Sequence, residues 1–353
     1  MSGPGAKSGA RRLLAVQAVA HPGGAEIGFL RLAARLCERG WQVELTTPEA
    51  GPLDSAGPPV HRLAVGGLAR GAGARAVGAW PRARSLARRF EVVYLNGTVP
   101  ARLLPALAGG RTVLHVHDMV ERVPTHWRLA SLTLADSRAV AQRLPGLGAR
   151  VVGCPVELDV EPSPAPPWPA GGGPVVGFVG RIEPRKGPLD LVHAAPAIRA
   201  GAPGARIVIV GDDPYAGDPA YLQAVRRGEG VEQYGWAADA PAVLGHLDVL
   251  VAPSRQEPFG TILAEAMAAG TPVVATRVGG LADTVDDGRT GLLVPPGRPD
   301  LLAAAVVEVL ARRDEMGAAA RAWAQRFGAD AYADRVEGLL APLAARRSKD
   351  PPR

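Results

Sequence analysis

Two glutamates eight positions apart, Glu257 and Glu265, bracket a Pro-Phe-Gly turn and the start of an apolar helical pattern in the stretch EPFGTILAEAMAAG. The spacing separates their chemistry. A helix starting near Thr261 leaves the amides of Phe259, Gly260 and Thr261 pointing outward at the positive end of the helix dipole, where phosphate oxygens are stabilised. Gly260 lets that backbone approach a ligand closely. Glu257 stands before the helix and can reach hydroxyls of a sugar carried by the phosphate. Glu265 lies about 6 Å beyond Thr261 at ~1.5 Å rise per residue, a suitable reach for a ribose diol. Its neighbours Ala264, Ala266, Met267 and Ala268 turn it toward a crevice.

Cations belong beside such a site. In GFVGRIEPRKGP, Gly180 ends a strand pattern, Arg181 follows it, and Lys186 precedes Gly187 and Pro188, the latter well placed to open a helix. Two cations at a strand end suit a diphosphate, and Arg185 adds positive field. Lysine is informative here because the chain has only Lys7, Lys186 and Lys349, and two of these fall in apparent tails. Nearer the start, HPGGAEIG places Gly23 and Gly24 at a second helix start fit for an anion, with Ile27, Leu30, Ala33 and Cys37 on one helix face. The G-x-G-x-x-G spacing of a dinucleotide site is missing, although Glu49 stands roughly where an NAD ribose would want an acid. In VLHVHDM, His115 and His117 share one side of a strand and Asp118 follows. A His-x-His pair can bind metal, but no further ligands accompany it in sequence. Asp212-Asp213 and Asp286-Asp287 read as turn residues, and no Asp-x-Asp motif is present, so no metal is expected and Arg181 and Lys186 do its work.

The elements that must carry these loops are strands buried on both faces. LLAVQAVA, VELTT, VVYLNG, TVLHVHD, VVGFVG, IVIVG, DVLVAPS and PVVAT are short apolar runs without strict alternation, separated by helical patterns. Between the first four and the last four lies EPSPAPPWPAGGGP, residues 161–174, which reads as an interdomain linker. The 353 residues, 47% of them hydrophobic, suffice for two doubly wound α/β domains, one over 1–165 and one over 172–328. Ligands in such sheets bind beyond the carboxyl ends of the strands, where the unusual loops fall. Cys37 and Cys154 lack metal or disulfide spacing and read as buried thiols. The net charge of +6 is modest in an arginine-rich, GC-rich-type composition and points to no nucleic-acid partner. No signal peptide or run of ~18 apolar residues is visible, which favours a cytoplasmic protein. The basic segment Trp80–Arg89 reads mainly as a solvated helical face, with peripheral contact to an anionic inner-membrane surface as its other reading.

With these residues in hand the chain resembles glycosyltransferase family 4, retaining nucleotide-sugar transferases of the GT-B fold. GGAEIGFLRLAARLCERGWQVELTTP, GFVGRIEPRKG, ARIVIVGDDP and the long stretch from DVLVAPS to LLVPPG carry the likeness over nearly the whole chain. The resemblance implies two Rossmann-like domains around a cleft, with a helix over 329–345 returning to the first domain. It implies that Arg181 and Lys186 bind the donor diphosphate, Glu265 the ribose, and Glu257 with the following amides the donor sugar. Gly23 and Gly24 would lie at the phosphate or acceptor edge, Glu26 and Asp118 on the acceptor side, and backbone around Gly235-Trp236 at the nucleobase. His117 would lie against the donor sugar near the reacting carbon. The implied partners are a UDP- or GDP-sugar and a hydroxyl-bearing acceptor such as a natural product, envelope glycan or lipid, with no cofactor. A nucleotide-sugar epimerase of the same fold, a two-lobed solute-binding protein and an NAD oxidoreductase are the competing readings.

Overall fold

The computed structural model describes residues 11–67, 72–159, 161, 163–214, 217–237 and 239–345; Lys7 and Lys349 lie outside them. The chain divides into two units, Met1–Pro155 with Ala329–Arg353, and Val156–Gly328.

The first unit is built on strands β1 (Arg12–Val16), β2 (Gln42–Thr47), β3 (Val60–Arg62), β4 (Val92–Asn96), β5 (Thr112–Val116), β6 (Leu132–Ala135) and β7 (Arg150–Val151), in the order β3-β2-β1-β4-β5-β6-β7. Every pairing is parallel. All residues of β4 and β5 are buried, as expected for strands covered on both faces. The order reverses between β1 and β4, which makes the carboxyl ends of those two strands the natural place for a ligand.

One covering layer joins the helix Gly24–Glu38 to the helix Ala329–Ala345. Phe29, Leu32, Ala33 and Leu36 of the former pack in one core with Tyr332, Val336 and Leu340 of the latter. The buried stripe thus differs from the face read from sequence. Ile27 is 42% exposed and Cys37 is also exposed, because the stripe runs through Phe29 and Leu36 at helical spacing instead. Cys154, also read as a buried thiol, is only half-buried in the loop after β7.

The second unit repeats the plan with β8 (Val175–Val179), β9 (Arg206–Val210), β10 (Glu232–Tyr234), β11 (Val249–Ala252), β12 (Val273–Thr276) and β13 (Gly291–Val294), ordered β10-β9-β8-β11-β12-β13, again all parallel. Its switch point lies between β8 and β11. The proline-rich stretch read as a linker is packed against this unit: Trp168 is buried with its ring 6.0 Å from that of Tyr234, the Ser163 amide bonds to Ala242 O, and Arg206 donates to Pro169 O. A single large aromatic supplied the burial that the prolines and glycines could not.

Each of the eight apolar runs contains a strand, whereas β3, β6, β7, β10 and β13 have no such signal. Four of these five are sheet edges, where a short strand needs no long apolar run. The exception, β6, lies inside the first sheet.

Candidate functional site

In the second unit the chemistry gathers at the switch point. Strand β8 delivers Gly180 and Arg181, and β11 delivers the loop to Glu257, so the two sequence motifs meet because β8 and β11 are neighbours. Lys186 donates to the Glu257 carboxylate, the former half-buried and the latter 9% exposed. The only lysine within the motifs is therefore held by the acid expected to contact a sugar. Around this pair the loops brace one another. The Arg255 amide donates to Arg185 O at 2.8 Å, and Arg185 donates to Gln256 O at 3.2 Å and to Glu183 at 2.8 Å. Arg181 lies 3.4 Å from the same Glu183 carboxylate. Arg185, expected to act only through its field, is thus a clamp between the loops.

Two glycine contacts fix how closely these segments approach. Gly187 caps the helix Pro188–Gly201 at φ 67°, and a Cβ there would sit 2.2 Å from Pro253 O. The helix Thr261–Ala268 starts after Gly260, whose φ of 92° is again left-handed, and it carries no side-chain cap. Its first amides are consequently available to an outside acceptor. Phe259 is buried, Thr261 is half-buried at the helix start, and Glu265 is half-buried one turn on.

Sequence reasoning did not single out the turn that supports this loop. The Gly280 amide donates to Glu257 O at 2.8 Å, and Thr284 Oγ1 donates to Phe259 O at 2.9 Å. A Cβ on Gly280 would lie 2.2 Å from Pro258 O. The Gly279-Gly280 pair in RVGGL was a readable signal for such a close approach. Further along the same sheet, Trp236 is 58% exposed at a cavity of about 460 Å³ lined also by Tyr234, Gly235, Ser163 and Pro167. The proline-rich segment thus walls a cavity at the carboxyl ends of β9 and β10.

The first unit presents a different arrangement at the ends of β4, β5 and β6. Register does the assembling: Asn96 pairs with His115, and Val116 with Ala135, so His117 and Asp136 leave adjacent strands side by side. His117 Nδ1 lies 2.9 Å from Asp136 Oδ2, and its Nε2 lies 2.8 Å from Asn96 Oδ1. Asn96 in turn donates to Gln17 Oε1 at 2.7 Å and to Ala25 O at 3.3 Å, tying β4 to the chain leaving β1. His115 Nδ1 is 2.6 Å from the Tyr94 hydroxyl, while its Nε2 sits 2.8 Å from Asp136 Oδ1 but out of line for a hydrogen bond. Burial, helped by the neighbouring His117, pulls His115 down to about 4. Burial alone would lower His117 too, but the charge and hydrogen bond of Asp136, with Asp118 and Glu26 further off, leave it raised. Burial would raise Asp136, yet His117 and His115 hold its carboxyl well below the usual range.

His115, His117 and Asp136 are close enough together to hold a metal ion, with ligand atoms within 4.8 Å of one another. Asp136 is the third member that sequence reasoning lacked, because it lies 19 residues from His117, just after the internal strand β6 that has no apolar signal. Asp118 is exposed at the strand end, 3.4 Å from Thr98 Oγ1. At the helix start, Gly23 and Gly24 are exposed, and the Gly23 amide donates to Glu26 Oε2 at 2.9 Å. Glu26 therefore caps the helix and places a negative charge where an incoming anion was expected. The helix Ala72–Ala87 is seated by Trp80 Nε1 on Arg102 O and by Arg84 on Ala106 O, leaving Arg82, Arg88 and Arg89 exposed beside it. No helix of the described residues is long and apolar enough to cross a membrane.

Comparison with known proteins adds the following. Residues 173–312 match the family model "Glycosyl transferases group 1", and residues 22–160 match "Glycosyltransferase Family 4". The chain is similar to the D-inositol 3-phosphate glycosyltransferase of Segniliparus rotundus, 33% identical over 280 residues that cover 74% of this chain and 60% of that protein. It is also similar to the 2-deoxystreptamine N-acetyl-D-glucosaminyltransferase of Streptomyces fradiae, 38% identical over 58% of this chain and 52% of that protein. The chain thus spans somewhat more than half the length of these two curated relatives. Among solved structures, a glycosyltransferase of Rickettsia africae matches with a TM-score of 0.82 at 17% identity, covering 96% of this chain and all of that one. HepE of Anabaena, solved in complex with UDP, matches at 0.77 with 23% identity, covering 94% of this chain and all of that one. These two likenesses bear on the fold.

Proposed function

We infer that this chain, which belongs to glycosyltransferase family 4 and has the GT-B type of α/β architecture, transfers a sugar from a nucleoside diphosphate sugar to an acceptor hydroxyl. One observation carries the reading: the switch point of the second sheet brings Arg181, the Lys186–Glu257 pair and the uncapped helix start after Gly260 to one place. That is the charge and amide set a diphosphate with an attached sugar would use. HepE, whose fold is similar, has been solved with UDP and with UDP-glucose, which favours UDP as the nucleotide to try first, with GDP as the alternative.

The Lys186–Glu257 pair suggests the order of events in this unit. An arriving diphosphate competes with the Glu257 carboxylate for the ammonium group. Lys186 then faces the leaving group, and the released carboxylate is left to accept hydrogen bonds from sugar hydroxyls. As the glycosidic bond breaks, Lys186, Arg181 and the amides at Gly260 and Thr261 stabilise charge building on the diphosphate, which takes the acceptor proton. Glu265 holds the ribose, and the cavity at Gly235-Trp236 takes the base. The transfer proceeds with retention of anomeric configuration. Incubation with UDP-, GDP- and dTDP-sugars tests the reading through nucleotide release and thermal protection. Protection by UDP with sugar release from a UDP-sugar is expected, and absence of both with every donor would remove the proposal.

A further inference from the structure

We propose that Asp136 and Asn96 lock His117 as an imidazolium, so that at the ligand-facing end of the first sheet His117 acts as a hydrogen-bond donor and never as a base, with Asp136 its positioning residue.

The argument is one of donors and acceptors. His117 is enclosed, its side chain 15% exposed, and both ring nitrogens have partners. Nδ1 faces a carboxylate, which accepts when ionised. Nε2 faces Asn96, whose orientation is fixed by its other contacts: Ala25 O can only accept, so the Asn96 amide nitrogen must point to it and to Gln17, and Oδ1 must point to His117. Two acceptors require two ring protons, and a doubly protonated imidazole is a cation.

The second imidazole strengthens the assignment. The rings of His115 and His117 stand 4.0 Å apart and share one carboxylate, so a single extra proton is favoured between them. His115 is 2% exposed, and burial together with the neighbouring His117 lowers it, so the extra proton sits on His117. The groups facing His117 are Asp136 beyond β6, Asn96 of β4, His115 of β5, Asp118 on its own loop and Glu26 of the helix Gly24–Glu38; three carboxylates outnumber the cation. A ligand oxygen that replaces Asn96 at Nε2 therefore meets an N–H. Because the folded value of His117 is raised, the pairing contributes fully below the unfolded value of 6.5 and is lost as pH rises through the folded one.

The role in turnover rests on the transferase reading, but the charge state does not, and the experiment separates them. In protein labelled with ¹⁵N-histidine, the His117 ring, assigned by loss of its signals in His117→Gln, should show two protonated nitrogens at about pH 7. In Asp136→Asn, which can still accept from Nδ1 but carries no charge, the midpoint for losing one of them should fall by about one pH unit or more. A singly protonated ring in the wild type, or an unmoved midpoint in the variant, overturns the proposal. With a working donor, the alkaline limb of kcat should move down with that midpoint. An equal loss of kcat at every pH would instead show a merely structural Asp136 and overturn the positioning role. Should Asp136→Asn fail to fold, Asn96→Ser removes the amide acceptor and should give a smaller downward shift. If no nucleotide sugar is turned over, the transferase reading falls and the ring spectra still decide the charge.

Discussion

The two units share one strand order around the switch point, yet they hold their polar groups in opposite ways, beyond β4, β5 and β6 in the first and beyond β8 and β11 in the second. In the first, Asn96, His117, Asp136 and Gln17 close on one another, and adjacent strands in register bring them together. In the second, loops converge: the Lys186–Glu257 pair, an uncapped helix start and two glycine contacts leave acceptor and donor capacity for something outside. A closed network keeps a charge state; an open one trades partners. The difference predicts which unit should respond to loss of a single charge and which to a single added methyl group.

The largest effect should come from Lys186→Ala, which strands the nearly buried Glu257 carboxylate and, in the proposed donor site, removes the cation that would face the leaving diphosphate. Losing one preorganised charge contact of this kind is worth about 10²- to 10³-fold in rate, and kcat/KM should fall by that order. Glu257→Gln in the same background should then cost little more, since the two act on one partner exchange; fully additive losses in the double variant would break the exchange idea.

Next come two glycines, one tightly enclosed and one open. Gly280→Ala drives a methyl group against Pro258 O and to 2.5 Å from Phe259 Cα, so the backbone carrying Glu257 and Gly260 must shift. Misplacement by ~1 Å can cost on the order of 10²-fold in turnover, and a loss of that size is expected in a variant that still melts cooperatively. Gly24→Ala, at the start of the helix Gly24–Glu38 after β1 in the first unit, meets nothing within 4 Å. Its melting temperature should not fall, and any loss of activity would report a ligand approaching that backbone. If the two variants behaved alike, the contrast between tight loops and an open helix start would be lost.

How much of this was legible follows from the same contrast. The second unit's cluster is carried by segments continuous in sequence, GRIEPRKG and EPFGTILAE, whose turn and cap chemistry is local, so Arg181, Lys186, Glu257 and Glu265 could be named before any fold was known. The two parallel sheets and their central strands were equally readable from buried runs. The first unit's cluster depends on which residue stands beside His117 on the next strand, and LTLA gave no sign that Asp136 would follow a strand at all. Glu26 was named for an acceptor, and its bond to the Gly23 amide, a cap, was not read from the sequence. Likewise, Trp168 turned a proline-rich stretch into a packed wall, because one indole outweighed the composition around it.

A smaller effect should follow Glu265→Ala. Contact with a ribose is made about equally before and during bond breaking, so the donor KM should rise roughly 10- to 150-fold, the range for losing a charged hydrogen-bond acceptor, with kcat near wild type. Loss of kcat at saturating donor would move this acid from binding to chemistry.

The smallest expected effect is none at all, on chelation. His115, His117 and Asp136 have the residue types of a metal centre, and a three-ligand set with room for water would be an ordinary catalytic site. Their partners argue otherwise. A metal at His117 Nδ1 would have to displace the proton that bonds to Asp136, and His117 Nε2 is already turned to Asn96. In the second unit the proposed donor site would have Arg181 and Lys186 supply at the diphosphate the positive charge that a bound divalent ion would otherwise bring. Turnover should therefore be unchanged after exhaustive EDTA treatment and exchange into metal-free buffer, and addition of zinc, magnesium or manganese should not raise it. Zinc binding by the wild type that is lost in Asp136→Asn, together with restored activity on adding zinc, would show the first unit's closed network to be a metal site and would reverse the comparison between the two halves.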